Sequence, residues 1–155
     1  MIVLDTSILV DAVIPFDEHR RSIVRRVLRA VEEAGAVVYE PRLVLVELAG
    51  VLARYQPPDK VRSHVERIAE KLVIIDYGVL HDTAYRVALE TGCRAADAFF
   101  IAAALHTGSL LATNDRIQAA NAARMGVEAY YVLQQHQQLI ERLRDAKEPL
   151  DTMDQ

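Results

Sequence analysis

The sequence begins with a short apolar run that ends at a carboxylate, since residues 2–7 read Ile-Val-Leu-Asp-Thr-Ser. An apolar run without polar alternation is typical of a strand that is buried on both faces of a sheet. A second such run, residues 109–113 (Ser-Leu-Leu-Ala-Thr), is followed two residues later by Asp115. Ligand sites in parallel sheets lie beyond the carboxyl ends of the strands. We therefore expect Asp5 and Asp115 to converge at one edge if these two strands are neighbours.

The rest of the chain alternates between short apolar runs and segments with helical periodicity. Further strands are predicted at 36–39, 72–75 and 127–133, and helices at 7–13, 17–34, 41–55, 59–71, 79–91, 95–107, 116–125 and 134–146. This order predicts an α/β fold in which a mostly parallel sheet of about five strands lies between two layers of helices. We expect one domain over residues 1–133, with a C-terminal helix and charged tail, 134–155, appended to it.

The composition excludes several classes of protein. The 155 residues carry 18 Lys and Arg against 22 Asp and Glu, a net charge of −4, which argues against nucleic-acid binding through bulk positive charge. The single cysteine, Cys93, excludes an internal disulfide and a four-sulfur zinc site. No apolar stretch is long enough for a membrane span, and the N-terminus does not resemble a signal peptide. These features predict a cytoplasmic protein.

Two further carboxylates lie in apolar helical segments. Glu47 is placed within Leu-Val-Leu-Val-Glu-Leu-Ala-Gly-Val-Leu, where no residue three or four positions away can pair with it. Asp97 lies in Ala-Ala-Asp-Ala-Phe-Phe, with Arg94 three residues before it. An ionised carboxylate in apolar surroundings is costly unless a charged group meets it.

Each carboxylate also has a purely structural interpretation. Asp5 and Asp115 could cap the helices that follow them. Glu47 could be partly exposed or paired with a distant arginine, and Asp97 could be a first-turn acid favoured by the helix dipole. Taken together, four acids gathered without a counter-charge would repel each other, and hard divalent cations such as Mg²⁺ or Mn²⁺ would supply that charge. Metal-assisted phosphodiester hydrolysis is the reaction that this donor set serves best.

Four stretches, in order along the chain, resemble the motifs of PIN-domain ribonucleases, and most of all those of VapC-type toxins of toxin–antitoxin pairs; the resemblance runs from residue 2 to about residue 133. They are Ile-Val-Leu-Asp-Thr-Ser, Val-Glu-Leu, Ala-Ala-Asp-Ala-Phe-Phe-Ile-Ala-Ala-Ala and Leu-Leu-Ala-Thr-Asn-Asp. The resemblance implies a Mg²⁺- or Mn²⁺-dependent endoribonuclease that acts on RNA, forms a homodimer and is inhibited by a small antitoxin protein. Asp5, Glu47, Asp97 and Asp115 match the acidic quartet of the family, which holds metal and carries catalysis, and Ser7 and Thr113 match its supporting hydroxyl positions. The 134–155 extension is not part of the pattern.

The arginines allow more than one interpretation. Arg94 and Arg116 lie beside the acids in sequence and are predicted to hold substrate phosphate. Arg21, Arg25 and Arg29 share one helical face, which we interpret as a solvated surface, with an RNA or partner surface as the alternative. Two other functions also stay open: a housekeeping RNA-processing nuclease with the same quartet, and a PIN-like module that binds RNA or protein without cutting.

Overall fold

The computed structural model describes residues 1–14 and 16–146, and the predicted charged tail, from residue 147 onward, lies outside the described residues. Its strands are β1 (Ile2–Leu4), β2 (Tyr39–Pro41), β3 (Val73–Ile75), β4 (Leu110–Thr113) and β5 (Ala129–Tyr131). Its helices are α1 (Thr6–Val13), α2 (Glu18–Glu33), α3 (Leu43–Leu52), α4 (Pro58–Ala69), α5 (Tyr77–Thr91), α6 (Ala95–Thr107), α7 (Arg116–Arg124) and α8 (Val132–Asp145). The predicted α/β fold is confirmed.

Every strand pairing in the described part of the chain is parallel. β1, β4 and β5 form a three-stranded sheet in the order β1-β4-β5, and β2 and β3 form a separate pair. A parallel bridge, Ile2 with Val38, links the two groups. All residues of β1 and β4 are buried, and since successive strand residues point to opposite faces, both faces of the central strands are covered. The layers therefore match the predicted sandwich, with five strands divided three and two.

A buried glutamate explains this division. The backbone N–H of Ile2 donates to the carbonyl of Val37 at 3.0 Å, as in a parallel ladder. The next rung would join the N–H of Leu4 to a second carbonyl of the neighbouring chain segment. Instead, that N–H donates to Oε1 of Glu40 at 2.7 Å, and Glu40 is completely buried. A side chain thus replaces a backbone rung directly before Asp5. Burial raises the pKa of the Glu40 carboxyl well above its usual range, and the charge of Asp5 adds to that rise.

The predicted boundary between the second strand and the third helix was wrong by a few residues. β2 runs to Pro41, which pairs with Ile75, and the N–H of Arg42 donates to the carbonyl of Ile75 at 2.9 Å. Pairing with β3 therefore keeps the backbone extended through the proline. Proline favours the first turn of a helix but also fits an extended strand end, so sequence alone did not decide between the two.

The helices that position the site pack through apolar faces. α6 contacts β1, β2 and β4 and buries Phe100 and Ile101, which fixes the direction of its first turn. α8 packs on α2 and buries Leu139 and Leu143. It begins at Val132, two residues before the predicted start. The predicted domain boundary at residue 133 stays a prediction. Within the described ranges, none of the helices combines the length and the apolar character that crossing a membrane requires.

Candidate active site

Four carboxylates from distant parts of the sequence line one open cavity of about 730 Å³. Asp5 follows β1, Glu47 lies in α3, Asp97 lies in the first turn of α6, and Asp115 follows β4. β1 and β4 are paired neighbours, so the cavity lies beyond their carboxyl ends, where the sequence predicted it. The structure thus brings together all four acids that the sequence analysis singled out.

Asp5 is the most enclosed of the four, with 9% of its surface exposed. Its Oδ2 accepts a hydrogen bond from the N–H of Ser7 at 3.0 Å, which caps α1, and its Oδ1 accepts one from Nε2 of Gln118 at 3.2 Å. Burial raises the pKa of the Asp5 carboxyl, the bonds from Ser7 and Gln118 offset part of the rise, and the charge of Asp97 adds to it. An ionised Asp5 therefore gains from any cation that enters the cavity.

Glu47 is oriented by a hydroxyl group from α1. The Oγ1 of Thr6 donates to Oε2 of Glu47 at 2.5 Å. Burial raises the pKa of the Glu47 carboxyl; the bond from Thr6 and the charge of Arg94 lower it, and the charges of Asp5 and Asp97 raise it. Asp5 and Glu47 thus each carry an electrostatic penalty that the same positive charge would relieve.

Arg94 supplies positive charge at the mouth of the cavity. It forms a bidentate pair with Asp97, with Nε 3.0 Å from Oδ2 and Nη2 3.2 Å from Oδ1. The same Nη2 lies 3.5 Å from Oδ2 of Asp115. The other oxygen of Asp115 accepts the N–H groups of Ile117 and Gln118, so this residue both caps α7 and faces the cavity. The cap interpretation is therefore confirmed for Asp115, and its assignment to the site stays a prediction.

The two predicted hydroxyl residues hold the turn between β4 and α7. The Oγ of Ser7 accepts the N–H of Asn114 at 3.1 Å, and the Oγ1 of Thr113 accepts the N–H of Asp115 at 2.9 Å. Ser7 lines the cavity, whereas Thr113 is fully buried behind it. Both hydroxyls therefore act on the backbone that presents Asp115.

Sequence reasoning missed a second polar cluster in the cavity wall. The Oδ2 of Asp11 accepts from Nε and Nη2 of Arg20, at 3.1 and 2.9 Å, and from Nδ2 of Asn114 at 2.6 Å. Asp11 lies four residues after Ser7 on α1, and that spacing, which places both on one face, was the signal that could have found it.

Of the two arginines predicted beside the acids, the structure places Arg94 at the cavity and Arg116 outside its lining. Arg94 contacts the carboxylates themselves, while Arg116 is exposed and is not among the residues that line the cavity. Arg54, which the sequence analysis did not single out, does line it. Arg54 forms no ion pair within residues 1–14 and 16–146.

The donor set fits a hard divalent cation in its chemistry, because it consists of carboxylate oxygens. In the arrangement seen, no three His, Cys, Asp or Glu side chains of the described residues are gathered tightly enough to form a ligand group. Arg94 instead neutralises part of the acidic charge, bridging Asp97 and Asp115. Cation binding would therefore require the carboxylates to draw together and Arg94 to turn away.

Comparison with known proteins identifies the family. DNA-bound VapBC from Salmonella typhimurium shares the fold with a TM-score of 0.64 at 16% identity, over 83% of this chain and 96% of that one. FitAcB from Neisseria gonorrhoeae has a TM-score of 0.58 at 22% identity, over 84% of this chain and 96% of that one. Promoter-bound VapBC2 from Rickettsia felis has a TM-score of 0.58 at 21% identity, over 74% of this chain and 88% of that one. No curated protein matches the sequence significantly. The sequence profile of the PIN domain matches residues 2–124, and the chain therefore belongs to the PIN domain family.

Proposed function

We propose that this protein is a divalent-metal-dependent endoribonuclease and acts as the toxin of a toxin–antitoxin pair. The observation that carries the proposal is the convergence of Asp5, Glu47, Asp97 and Asp115 on one cavity at the carboxyl ends of β1 and β4. Membership of the PIN domain family supports a nuclease, and the choice of RNA as substrate rests on the resemblance of the four motifs to PIN-domain ribonucleases.

The four acids act together in this proposal, as ligands of a divalent cation. The four carboxylates would hold Mg²⁺ or Mn²⁺, and the bound cation would supply a water of lowered pKa and positive charge for the phosphoryl oxygens. Thr6 holds Glu47, and Gln118 with the N–H of Ser7 holds Asp5, so both carboxylates are oriented before anything binds. This orientation reduces the entropy lost when ligand and substrate assemble.

Arg94 and Arg54 are the groups that we assign to substrate phosphate. The side chain of Arg94 is 77% exposed, so it can exchange its carboxylate partners for a phosphate at little desolvation cost. Arg54 lines the same cavity and forms no ion pair with any acid of the described residues. Guanidinium groups bind phosphate oxygens in a bidentate manner, which suits both positions.

A cleavage assay under controlled metal conditions tests the proposal. We expect the purified protein to cut single-stranded RNA in Mg²⁺ or Mn²⁺ and to lose this activity when a chelator is added. Activity should return when the divalent cation is restored in excess, because the carboxylates again receive their counter-charge. RNA that is cut at the same rate in chelator would contradict a metal-dependent mechanism.

One observation favours the alternative of a PIN-like module that binds RNA without cutting it. The acids are not gathered as a ligand group, and Arg94 already bridges Asp97 and Asp115. In that case the same assay would show RNA retained by the protein but uncut in every metal condition. Uncut but bound RNA would therefore replace the nuclease proposal with a binding function.

An apolar groove between α1, α2 and α4 supports the proposed antitoxin partner. The groove has a volume of about 780 Å³ and is lined by apolar side chains that include Leu9, Val13, Leu28 and Ile68. Its charged border consists of Arg25, Arg29, Arg67, Lys71 and Glu32, and Glu32 pairs with Lys71 at 3.7 Å. Such a surface fits a segment with apolar and acidic side chains. The solved VapBC and FitAcB structures are themselves complexes.

From the family resemblance we also propose that the protein is a cytoplasmic homodimer. A monomeric mass in solution would contradict the homodimer.

The adjacent reading frame distinguishes a toxin from a housekeeping nuclease. We expect it to encode a small DNA-binding protein that co-purifies with this chain when the two are expressed together. In the complex, RNA cleavage should fall to background, because an antitoxin acts by blocking the site. A neighbouring gene of unrelated type, with no protein retained, would favour the housekeeping nuclease.

A further inference from the structure

Two exposed aromatic side chains stand beside the acidic cavity. Phe16 lies between α1 and α2 and lines the cavity, and Tyr55 lies just beyond the end of α3. Their ring centroids are 4.8 Å apart at an interplanar angle of 70°, an edge-to-face contact. Even so, Phe16 is 54% exposed and Tyr55 is 56% exposed. More than half of each residue therefore stays open to solvent at the rim of the site.

A purely structural role accounts for only part of this arrangement. An edge-to-face pair stabilises the contact between the α1–α2 connection and the end of α3. A pair that served stability alone would gain more from burying its ring surfaces, because apolar burial is the larger contribution. The exposed ring surface and its position beside the cavity are what a ligand with a flat aromatic group would use.

The neighbouring charge indicates what kind of ligand this is. Three arginines of the described chain line the cavity, and Arg20 and Arg94 are paired with Asp11 and Asp97. Arg54, the residue before Tyr55, has no carboxylate partner among the described residues. An open aromatic surface beside a guanidinium that forms no ion pair fits a group that combines a flat base with a phosphate.

We propose that Phe16, Tyr55 and Arg54 form a subsite for one unpaired nucleotide of the substrate, with its base stacked on the rings and its phosphate on the guanidinium. The inference rests on the proposed function, which it deepens by assigning the residues that would recognise an unpaired base of the RNA. Bases in a duplex are stacked and paired, so they cannot reach the rings without being extruded. The subsite thus selects for unpaired RNA next to the scissile bond.

A binding comparison tests the subsite apart from catalysis. The background is full-length Asp5→Asn, which is expected to be folded and inactive, and the probes are a single-stranded oligoribonucleotide, its duplex, and the same strand with abasic positions. We expect Phe16→Leu combined with Tyr55→Leu to weaken binding of the single strand by about tenfold or more, because each stacked base contributes substantially. Binding of the duplex and of the abasic strand should be unchanged.

Matched variants separate stacking from general effects. Tyr85→Leu removes an aromatic side chain that is 63% exposed on α5 and does not line the cavity, and it should leave all three affinities unchanged. Arg54→Gln should weaken the binding of all three probes and reduce the salt dependence. If the double variant unfolds in a thermal melt, Tyr55→Leu alone gives the same comparison.

The outcomes distinguish the subsite from the proposed function. An equal loss for all three RNAs, or no loss for the single strand, would overturn the subsite even if metal-dependent cleavage is observed. RNA that binds with the predicted pattern but is never cut would overturn the nuclease and leave the subsite standing. In an active wild-type background, the aromatic variants should raise KM more than they lower kcat.

Discussion

Asp5→Asn is expected to reduce metal-dependent RNA cleavage by more than about a hundredfold, since even the outer-shell partners of metal ligands typically contribute about 10–100-fold. The substitution replaces a carboxylate oxygen by an amide nitrogen at the most buried of the four acids. It removes one negative charge from the cavity, so less of the charge that attracts a cation remains. The measurement is the rate of RNA cleavage in Mg²⁺, together with calorimetric titration of the metal into the protein without RNA.

The same substitution is expected to leave the fold intact. An asparagine oxygen can still accept the N–H of Ser7 and cap α1. The Oε1 of Gln118 is buried without a hydrogen-bond partner among the described residues, so a turned Gln118 amide could accept from the new side-chain amide. Because burial raises the pKa of Asp5 in the fold, its neutral form contributes stability that is present at acidic pH and lost as pH rises through the folded-state pKa. The uncharged asparagine avoids that loss at neutral pH.

The control for this experiment is an acid remote from the cavity. Asp82 on α5 has a fully exposed side chain, and Asp82→Asn should retain the wild-type cleavage rate and melting temperature. A wild-type rate in Asp5→Asn would overturn the proposed mechanism. Loss of activity with an unchanged melting temperature is the result that we expect.

Glu40→Ala is expected to destabilise the protein by about 2–4 kcal/mol, the combined effect of an unsatisfied backbone donor and a cavity. Glu40 is completely buried, and its Oε1 is the acceptor for the N–H of Leu4. Alanine leaves that donor unpaired between β1 and β2, directly before Asp5. The measurement is the free energy of unfolding in denaturant, with cleavage activity followed in parallel because β1 carries the site.

The conservative variant Glu40→Gln separates charge from hydrogen bonding. Its amide oxygen can still accept the N–H of Leu4, so it should be much more stable than Glu40→Ala. The pKa of Glu40 is raised well above its usual range in the fold. The wild-type protein should therefore lose the stability contributed by neutral Glu40 as pH rises through that raised pKa, while Glu40→Gln lacks this component. If the free energy of unfolding changes with pH in the same way for the two proteins, Glu40 does not titrate in this way.

Local patterns predicted much of the site. Asp5 and Asp115 follow short apolar runs predicted as strands, and Glu47 and Asp97 interrupt helical apolar segments, so each was conspicuous against its own neighbours. The interpretation of Asp5 and Asp115 as helix caps was correct, because one oxygen of each accepts backbone N–H groups. The other oxygen contacts a side chain, Gln118 for Asp5 and Arg94 for Asp115. Arg116 was predicted beside the acids from sequence adjacency, but it starts α7 and is not among the residues that line the cavity.

The contacts that sequence analysis missed join residues that are far apart in the chain. Thr6 and Glu47 are 41 positions apart, and Leu4 and Glu40 are 36 positions apart. Neither pair produces a periodic signal, because periodicity reports only which face of one element is apolar. Phe16 and Tyr55 likewise meet only because α1 and α3 pack against each other.

The sequence by itself determined the parallel α/β architecture and the four elements that carry the acids, since apolar periodicity acts locally. Only the tertiary structure decided that Glu40 replaces a backbone hydrogen bond between β1 and β2, that Arg94 bridges Asp97 and Asp115, and that Phe16 in the cavity lining contacts Tyr55. The physical reason is that a buried carboxylate or an exposed ring acquires its partner from the packing of separate elements. That packing depends on the whole core rather than on the neighbours of any one residue.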